Sequence, residues 1–230
     1  MNENMIPETE KDNYEAYLAT VKEKLGKKRI ALSFDDGPRA ETTPKVLEIL
    51  KKYNAHATFY IVGSHVEGNE SIIKQIVAEG HELGDHSYSH PLLTKKSDDE
   101  VYQEVHKTSD LIAKASGGLR PMSLRPPYGG FNKMVSEQAG IAIVNWSIDS
   151  LDWKYRAAAK TIEHIKENAH NGGILLMHDI HEESVEALPA VIEYLQAEGY
   201  ELVTVTELMA DQPLKSNYVY FDRVENKPVQ

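Results

Sequence analysis

The sequence predicts an α/β fold built as a single domain, and three observations carry that expectation. Short apolar runs alternate with longer amphipathic stretches along most of the 230 residues, the rhythm of repeated strand and helix units. Glycines close the amphipathic stretches, at Gly80 and at the pair Gly117 and Gly118, where helices commonly end. No internal repeat, low-complexity segment or Pro/Ser/Gly-rich linker divides the chain, and its length suits one layered or barrel domain.

Element by element, a polar segment up to about Gly26 reads as a helical lead-in. This sets boundaries at 1–28 for the lead-in, 29–210 for the main domain and 211–230 for a C-terminal tail. RIALSF, from Arg29 to Phe34, is a short buried strand, TPKVLEILKKY a helix with Pro44 near its first turn, and ATFYIV a second strand. ESIIKQIVAEG reads as a helix, HELGD as a short strand and DDEVYQEVHKTSDLIAKASGG as a long helix. PMSLR, IAIVNWSI, GGILLMH and ELVTV supply further strands, with KTIEHIKENAH and SVEALPAVIEYLQAEG as helices between them. In parallel β/α units function collects on loops at the C-terminal ends of the strands, so chemical residues should fall just after the strands.

Composition narrows the chemistry. A hydrophobic fraction of 41% with 27% charged residues is globular. The formal charge of −11 disfavours nucleic acid, whose phosphates need clustered Lys and Arg, and a neutral substrate is easier to accommodate. With no cysteine, any metal must be held by His, Asp or Glu. The N-terminus has neither the basic segment nor the apolar core of a signal peptide, and no stretch approaches the roughly 18 apolar residues of a membrane span. As written the chain reads as soluble, although a secreted or anchored protein without its targeting segment would look the same. No protein partner is evident.

Five constellations fall at strand ends. In SFDDGP, Asp35 and Asp36 precede a Gly-Pro turn. Neighbours on an extended strand point to opposite sides, so both carboxylates serve one site only if the backbone bends, and an ordinary Asp-Gly turn explains the pair alone equally well. In HSYSH, His86 and His90 are four apart, which on a helical turn puts both imidazoles on one face, able to grip a metal. A third ligand is then needed, and a strand-end aspartate of SFDDGP is the obvious donor. In SLRPPYGG, Arg125 ends a strand and the prolines and glycines fix the following loop. The loop is either a rigid surface turn, or Arg125 holds a carboxylate through bidentate pairing while the fixed backbone offers an amide hydrogen to an oxyanion. In WSIDSLDW, Trp146 reads as core, whereas Asp152 beside Trp153 could orient a histidine in a dry pocket. GGILLMHDIH ends a strand in His178, a suitable proton donor near neutral pH, with Asp179 and His181 read as local loop chemistry. His65 and His81 complete no motif.

These five pieces, in this order from about Arg29 to about Leu208, resemble the polysaccharide deacetylase family, also called carbohydrate esterase family 4. The stretch from His178 to Leu208 looks most like bacterial peptidoglycan deacetylases. The resemblance implies a distorted, incomplete (β/α) barrel and a divalent metal, zinc by preference and cobalt as the alternative, held by Asp36, His86 and His90. It implies Asp35 as general base, His178 as general acid, Arg125 holding Asp35 and Asp152 tuning His178. Tyr128 would give its backbone amide to the oxyanion, and Trp153 with Leu176 would line the pocket for the acetyl methyl. Asp85 stands where the family often has Asn, which leaves open how its charge bears on the metal.

The implied reaction removes N-acetyl groups from N-acetylglucosamine residues of a polysaccharide, peptidoglycan foremost, and releases acetate. Its setting would be extracellular or at the cell surface. The alternatives are an O-acetyl esterase acting on xylan, a chitin or chitooligosaccharide deacetylase, and a carbohydrate-binding module with a dead site.

Overall fold

The computed structural model describes residues 27–230; the helical lead-in expected up to about Gly26 lies outside them. The strands are β1 (Lys28–Asp35), β2 (Thr58–Ile61), β3 (Glu82–Asp85), β4 (Ser123–Leu124), β5 (Ala142–Val144), β6 (Ile148–Asp149), β7 (Ile174–His178), β8 (Tyr200–Val203), β9 (Tyr218–Tyr220) and β10 (Asn226–Pro228). Between them lie helices α1 (Thr43–Lys52), α2 (Glu70–Ala78), α3 (Asp98–Ser116), α4 (Lys133–Ala139), α5 (Asp152–Tyr155), α6 (Ala158–Asn168), α7 (Glu182–Ala197) and α8 (Val205–Leu208).

Local chemistry explains the longer elements. In α1, Pro44 sits in the first turn, where its missing amide costs nothing, and Val46, Leu47 and Leu50 form the buried face. Helix α3 opens on a reciprocal capping box between Ser97 and Glu100 and stops at Gly117, whose φ of 83° suits a residue without Cβ. All four residues of β2 are buried, as expected of a strand covered on both faces.

The strands form one sheet in the order β10-β9-β5-β4-β3-β2-β1-β7-β6, with β8 paired to β1. All pairs are parallel except β9 with β10. Strand β1 is the hub, pairing with β8 over Lys28 to Ala31, with β2 over Ser33 to Asp35 and with β7 over Ala31 to Asp35. Three residues, Asn145 to Ser147, carry the chain from β5 on one flank to β6 at the opposite end. The stretch from Val144 to Ile148 reaches at most about 14 Å, whereas the two strands would stand about 29 Å apart if the sheet were flat. The sheet therefore curls into a barrel. No ladder among the described residues joins β6 to β10, so the barrel is incomplete.

Two expectations are corrected. IAIVNWSI is not one strand, because the carbonyls of Val144 and Asn145 accept from Arg125 and the chain leaves the ladder there. The segment 211–230, read as a tail, contributes β9 and β10, with β9 pairing Val219 and Tyr220 beside Ile143 and Val144. A three-residue strand is too short to show a period in the sequence.

Parallel register gathers the strand ends on one edge. Asp35 stands opposite His178, Ile61 opposite Asp85, Asp85 opposite Leu124 and Asp149 opposite Leu176.

Candidate active site

Asp35, Asp36, His86, His90, Tyr128, Trp153, Leu176 and His178 line one cavity of about 400 Å³ at that edge, together with Trp146 and Asp149. The backbone bends where two adjacent carboxylates require it: Asp35 ends β1, and Asp36 adopts a left-handed conformation with φ of 77°. The left-handed region is open to Asp more readily than to most residues.

His86 and His90 do not share a helical turn. His86 follows β3 directly, and Ser87 and His90 have φ values of 65° and 59°. A tight loop still brings the rings to 4.9 Å between centroids. It is pinned by Asp85, whose buried carboxyl accepts from Ser87 N and from Ser109 Oγ, both at 2.8 Å. Burial pushes the Asp85 carboxyl up to about 7. Asp85 is thus committed to the loop and does not belong to the cluster formed by Asp36, His86 and His90.

That cluster has the donor geometry of a cation site. His86 Nε2 and His90 Nε2 lie 3.3 and 3.2 Å from Asp36 Oδ1, yet this buried oxygen accepts no hydrogen bond. On the far side of its ring His86 Nδ1 donates to the Arg125 carbonyl at 2.6 Å, which turns Nε2 toward Asp36 and, in the neutral imidazole, leaves its lone pair free for a cation. A carboxylate oxygen and imidazole nitrogens facing one point, within 4.8 Å of one another, would hold a divalent metal. Although burial raises the Asp36 carboxyl, protonated imidazoles facing it outweigh that and hold the group well below the usual carboxylate range when no cation lies between them.

Behind Asp35 lies Arg125, a fully buried arginine. Nη1 donates to Asp35 Oδ1 and to Ser33 Oγ at 2.8 Å, while Nε and Nη2 donate to the carbonyls of Val144 and Asn145. The Asp35 contact is therefore single rather than bidentate, because the rest of the fork is taken by backbone. The guanidinium also stacks 4.1 Å over the Tyr60 ring.

Across the cavity, His178 Nδ1 meets Asp152 Oδ1 at 2.7 Å, and Asp152 Oδ2 accepts from His178 N and Ser184 Oγ. Burial lowers the basicity of His178, but Asp152 more than offsets it and brings the imidazole up to about 9. Its Nε2 faces the cavity, 4.0 Å from Asp36 Oδ2. Asp152 is 1% exposed, so its contact with His178 is shielded from solvent, while Trp153 stands 51% exposed at the rim. Tyr128, with φ of 61°, lays its exposed ring 4.9 Å from that of His90.

Three residues escaped the sequence reading. Trp146, expected in the core, is half-buried and lines the cavity; its place just after a strand was the available signal. Asp149 lines it too, with Oδ1 accepting from Leu151 N. His65 Nδ1 donates to the Asp36 carbonyl at 2.9 Å, a contact that no spacing foretells.

The family model described as polysaccharide deacetylase matches residues 22–144. Over 203 residues, 88% of this chain and 43% of the relative, the chain is 43% identical to the peptidoglycan-N-acetylglucosamine deacetylase PgdA of Listeria monocytogenes. It is 40% identical over 209 residues to the peptidoglycan-N-acetylmuramic acid deacetylase PdaC of Bacillus subtilis, covering 90% of this chain and 44% of that one. The chain thus spans less than half the length of these relatives. A solved structure of PdaC superposes with a TM-score of 0.78 at 41% identity, covering 80% of this chain and 91% of that chain.

Proposed function

The chain belongs to the polysaccharide deacetylase family, and from that premise we propose that it removes N-acetyl groups from N-acetylglucosamine residues of peptidoglycan, releasing acetate. The observation that carries the reading is the cluster of Asp36, His86 and His90, set between a carboxylate held by arginine and a histidine held by aspartate.

Two imidazoles and one carboxylate are a donor set suited to zinc, with cobalt as a substitute, and leave a position open. A divalent cation bound there supplies Lewis acidity toward an acyl oxygen and toward water. Asp35, kept in place by Arg125, takes the proton of the attacking water. The Tyr128 backbone amide donates to the oxygen that gains charge. His178, charged and oriented by Asp152, gives its Nε2 proton to the departing amine, without which the C–N bond would not break. Trp153 and Leu176 form the apolar wall against the acetyl methyl.

Among the described residues the wall offers the Asp149 carboxylate and no lysine or arginine, which suits a neutral N-acetylglucosamine better than a sugar with an acidic substituent. Names of relatives point to both peptidoglycan sugars. A polymeric wall substrate places the reaction outside the membrane or at the cell surface, and none of the described helices is long and apolar enough to cross a membrane.

The test is acetate release from N-acetylglucosamine oligomers, peptidoglycan and acetylated xylan, with zinc and with chelator, followed by mass analysis of the released sugars. Chelator-sensitive release with free amines on glucosamine supports the proposal. Amines on muramic acid alone, or release from xylan alone, overturn it.

A further inference from the structure

The most irregular backbone in the site, at Asp36, is held from several sides by residues given no role above. The Asp36 carbonyl accepts from His65, and the next carbonyl, of Gly37, accepts from Val62 N at 3.0 Å. Beneath the turn sits Asp179, 1% exposed. Its Oδ2 accepts from Thr43 Oγ1 at 2.5 Å, and the same hydroxyl oxygen accepts from Arg39 N at 2.8 Å. Arg39 closes the ring by donating from Nη1 to the Ile180 carbonyl at 3.0 Å. The loops after β1 and β7 are thereby tied to each other and to the first turn of α1.

Contact with the turn itself is direct. A Cβ added to Gly37 would lie 2.5 Å from Asp179 Oδ1 and closer still to Oδ2, so the carboxyl group packs against the Gly37 Cα with no room for a side chain. Here glycine is needed for close approach and not for its torsion. Asp179 Oδ1 is buried without a hydrogen-bond partner, and burial pushes the carboxyl up to about 7. Such a group is costly to bury, and an apolar residue would fill the same volume more cheaply if packing were all it did.

We infer that Asp179, held by Thr43, is a positioning residue: it is the floor of the Gly37 turn and through it aims the Asp36 carboxylate at the point that His86 and His90 also face. On a regular strand, Asp36 would point to the side opposite Asp35. The floor keeps the bend and so keeps both acids in one cavity. The inference rests on reading Asp36, His86 and His90 as the cation site, and its test therefore begins with zinc alone.

Metal-stripped protein is titrated calorimetrically with zinc, and the absorption spectrum of the cobalt-loaded form is recorded, for wild type, Asp179→Asn, Asp179→Ala and Thr43→Val. Melting of the metal-free proteins is followed in parallel. Asp179→Ala and Thr43→Val are expected to weaken zinc about 10- to 100-fold and to shift the cobalt bands, the size of effect typical of groups that orient a ligand. Asp179→Asn, which keeps shape and an acceptor for Thr43, is expected to stay within about threefold of wild type. If Asp179→Ala melts too low to titrate, Thr43→Val decides the matter. Zinc affinity and cobalt bands unchanged in the variant that decides would overturn the inference. A wild-type protein that takes up no zinc would instead overturn the cation-site reading, and the inference with it.

Discussion

Asp35 and Asp36 share a peptide bond but not an environment. Asp35 Oδ1 is tied to a buried guanidinium, whereas Asp36 Oδ1 faces the Nε2 atoms of His86 and His90 at 3.3 and 3.2 Å. The proposed division into base and ligand follows from that difference. Asp35→Asn keeps the volume and is expected to bind zinc as wild type while losing about 10²- to 10⁴-fold in kcat, the usual worth of a positioned base. His86→Ala should lose zinc and turnover together. Calorimetry and acetate release separate the two, and an Asp35→Asn enzyme retaining most of its rate would remove Asp35 from the mechanism. A second residue behaves differently and far from the cavity. His81 is 8% exposed, packs against the rings of Phe59 and His56, faces Glu79 and Glu207 more distantly, and hydrogen-bonds through neither nitrogen. Burial first, then the His56 charge, lower it to about 4. Its folded value lies below the unfolded one near 6.5, so the unfolded chain binds the extra proton and stability falls as pH drops from about 6.5 toward 4. Urea unfolding at pH 5 against pH 7 should show a loss of about 2 kcal/mol from this group, absent in His81→Leu. An equal loss in both proteins would assign the pH dependence to other groups.

At the scale of elements, Arg125 does more than hold one acid. It directly follows β4, reaches Ser33 and Asp35 on β1, and takes the carbonyls at the end of β5, so three strands meet on one guanidinium. Removing a partner from a buried ion pair leaves the other charge uncompensated, at about 3–5 kcal/mol. Arg125→Met should lower the midpoint of denaturant unfolding accordingly, and a variant as stable as wild type would show that the guanidinium does not hold these strands together. This arrangement also explains what could be read in advance. The alternation of β1, α1, β2, α2, β3 and α3 was legible because each carries its own periodicity and stop signals, such as Pro44 and Gly117. The break between β5 and β6 was not, because IAIVNWSI is uniformly suited to a strand and the interruption comes from Arg125, some 20 residues away in sequence. The helical turn on which four-residue spacing would align His86 and His90 does not form, because spacing carries no backbone torsion and Ser87 and His90 are both left-handed. Strand-end placement foretold the grouping of Asp35, Arg125 and His178, while Asp179 and His65 act through contacts made only after folding.

Across the whole molecule, the proposed polymeric substrate would meet the shape of the cavity rim and the charge of the chain. The cavity of about 400 Å³ opens at a rim where Tyr128 is 70% and Trp153 51% exposed, flat apolar faces on which a sugar ring can lie. The whole chain carries a formal charge of −11. A field of that sign repels carboxylate-bearing polymers and leaves neutral ones unaffected, and it is screened within about 10 Å at 0.1 M salt. Peptidoglycan bearing acidic stem peptides and a neutral N-acetylglucosamine oligomer should therefore respond differently to ionic strength. Between about 20 and 300 mM salt, kcat/KM on the acidic polymer is expected to rise several-fold, while on the neutral oligomer it stays within about twofold. The gain should lie in the encounter and so in kcat/KM at low substrate, leaving kcat level. A fall with salt on the acidic polymer would mean that a cationic patch outweighs the net charge and draws the glycan in. A rise of equal size on both polymers would place the effect in the chemistry or in the fold, and the net charge would then have no part in choosing the substrate.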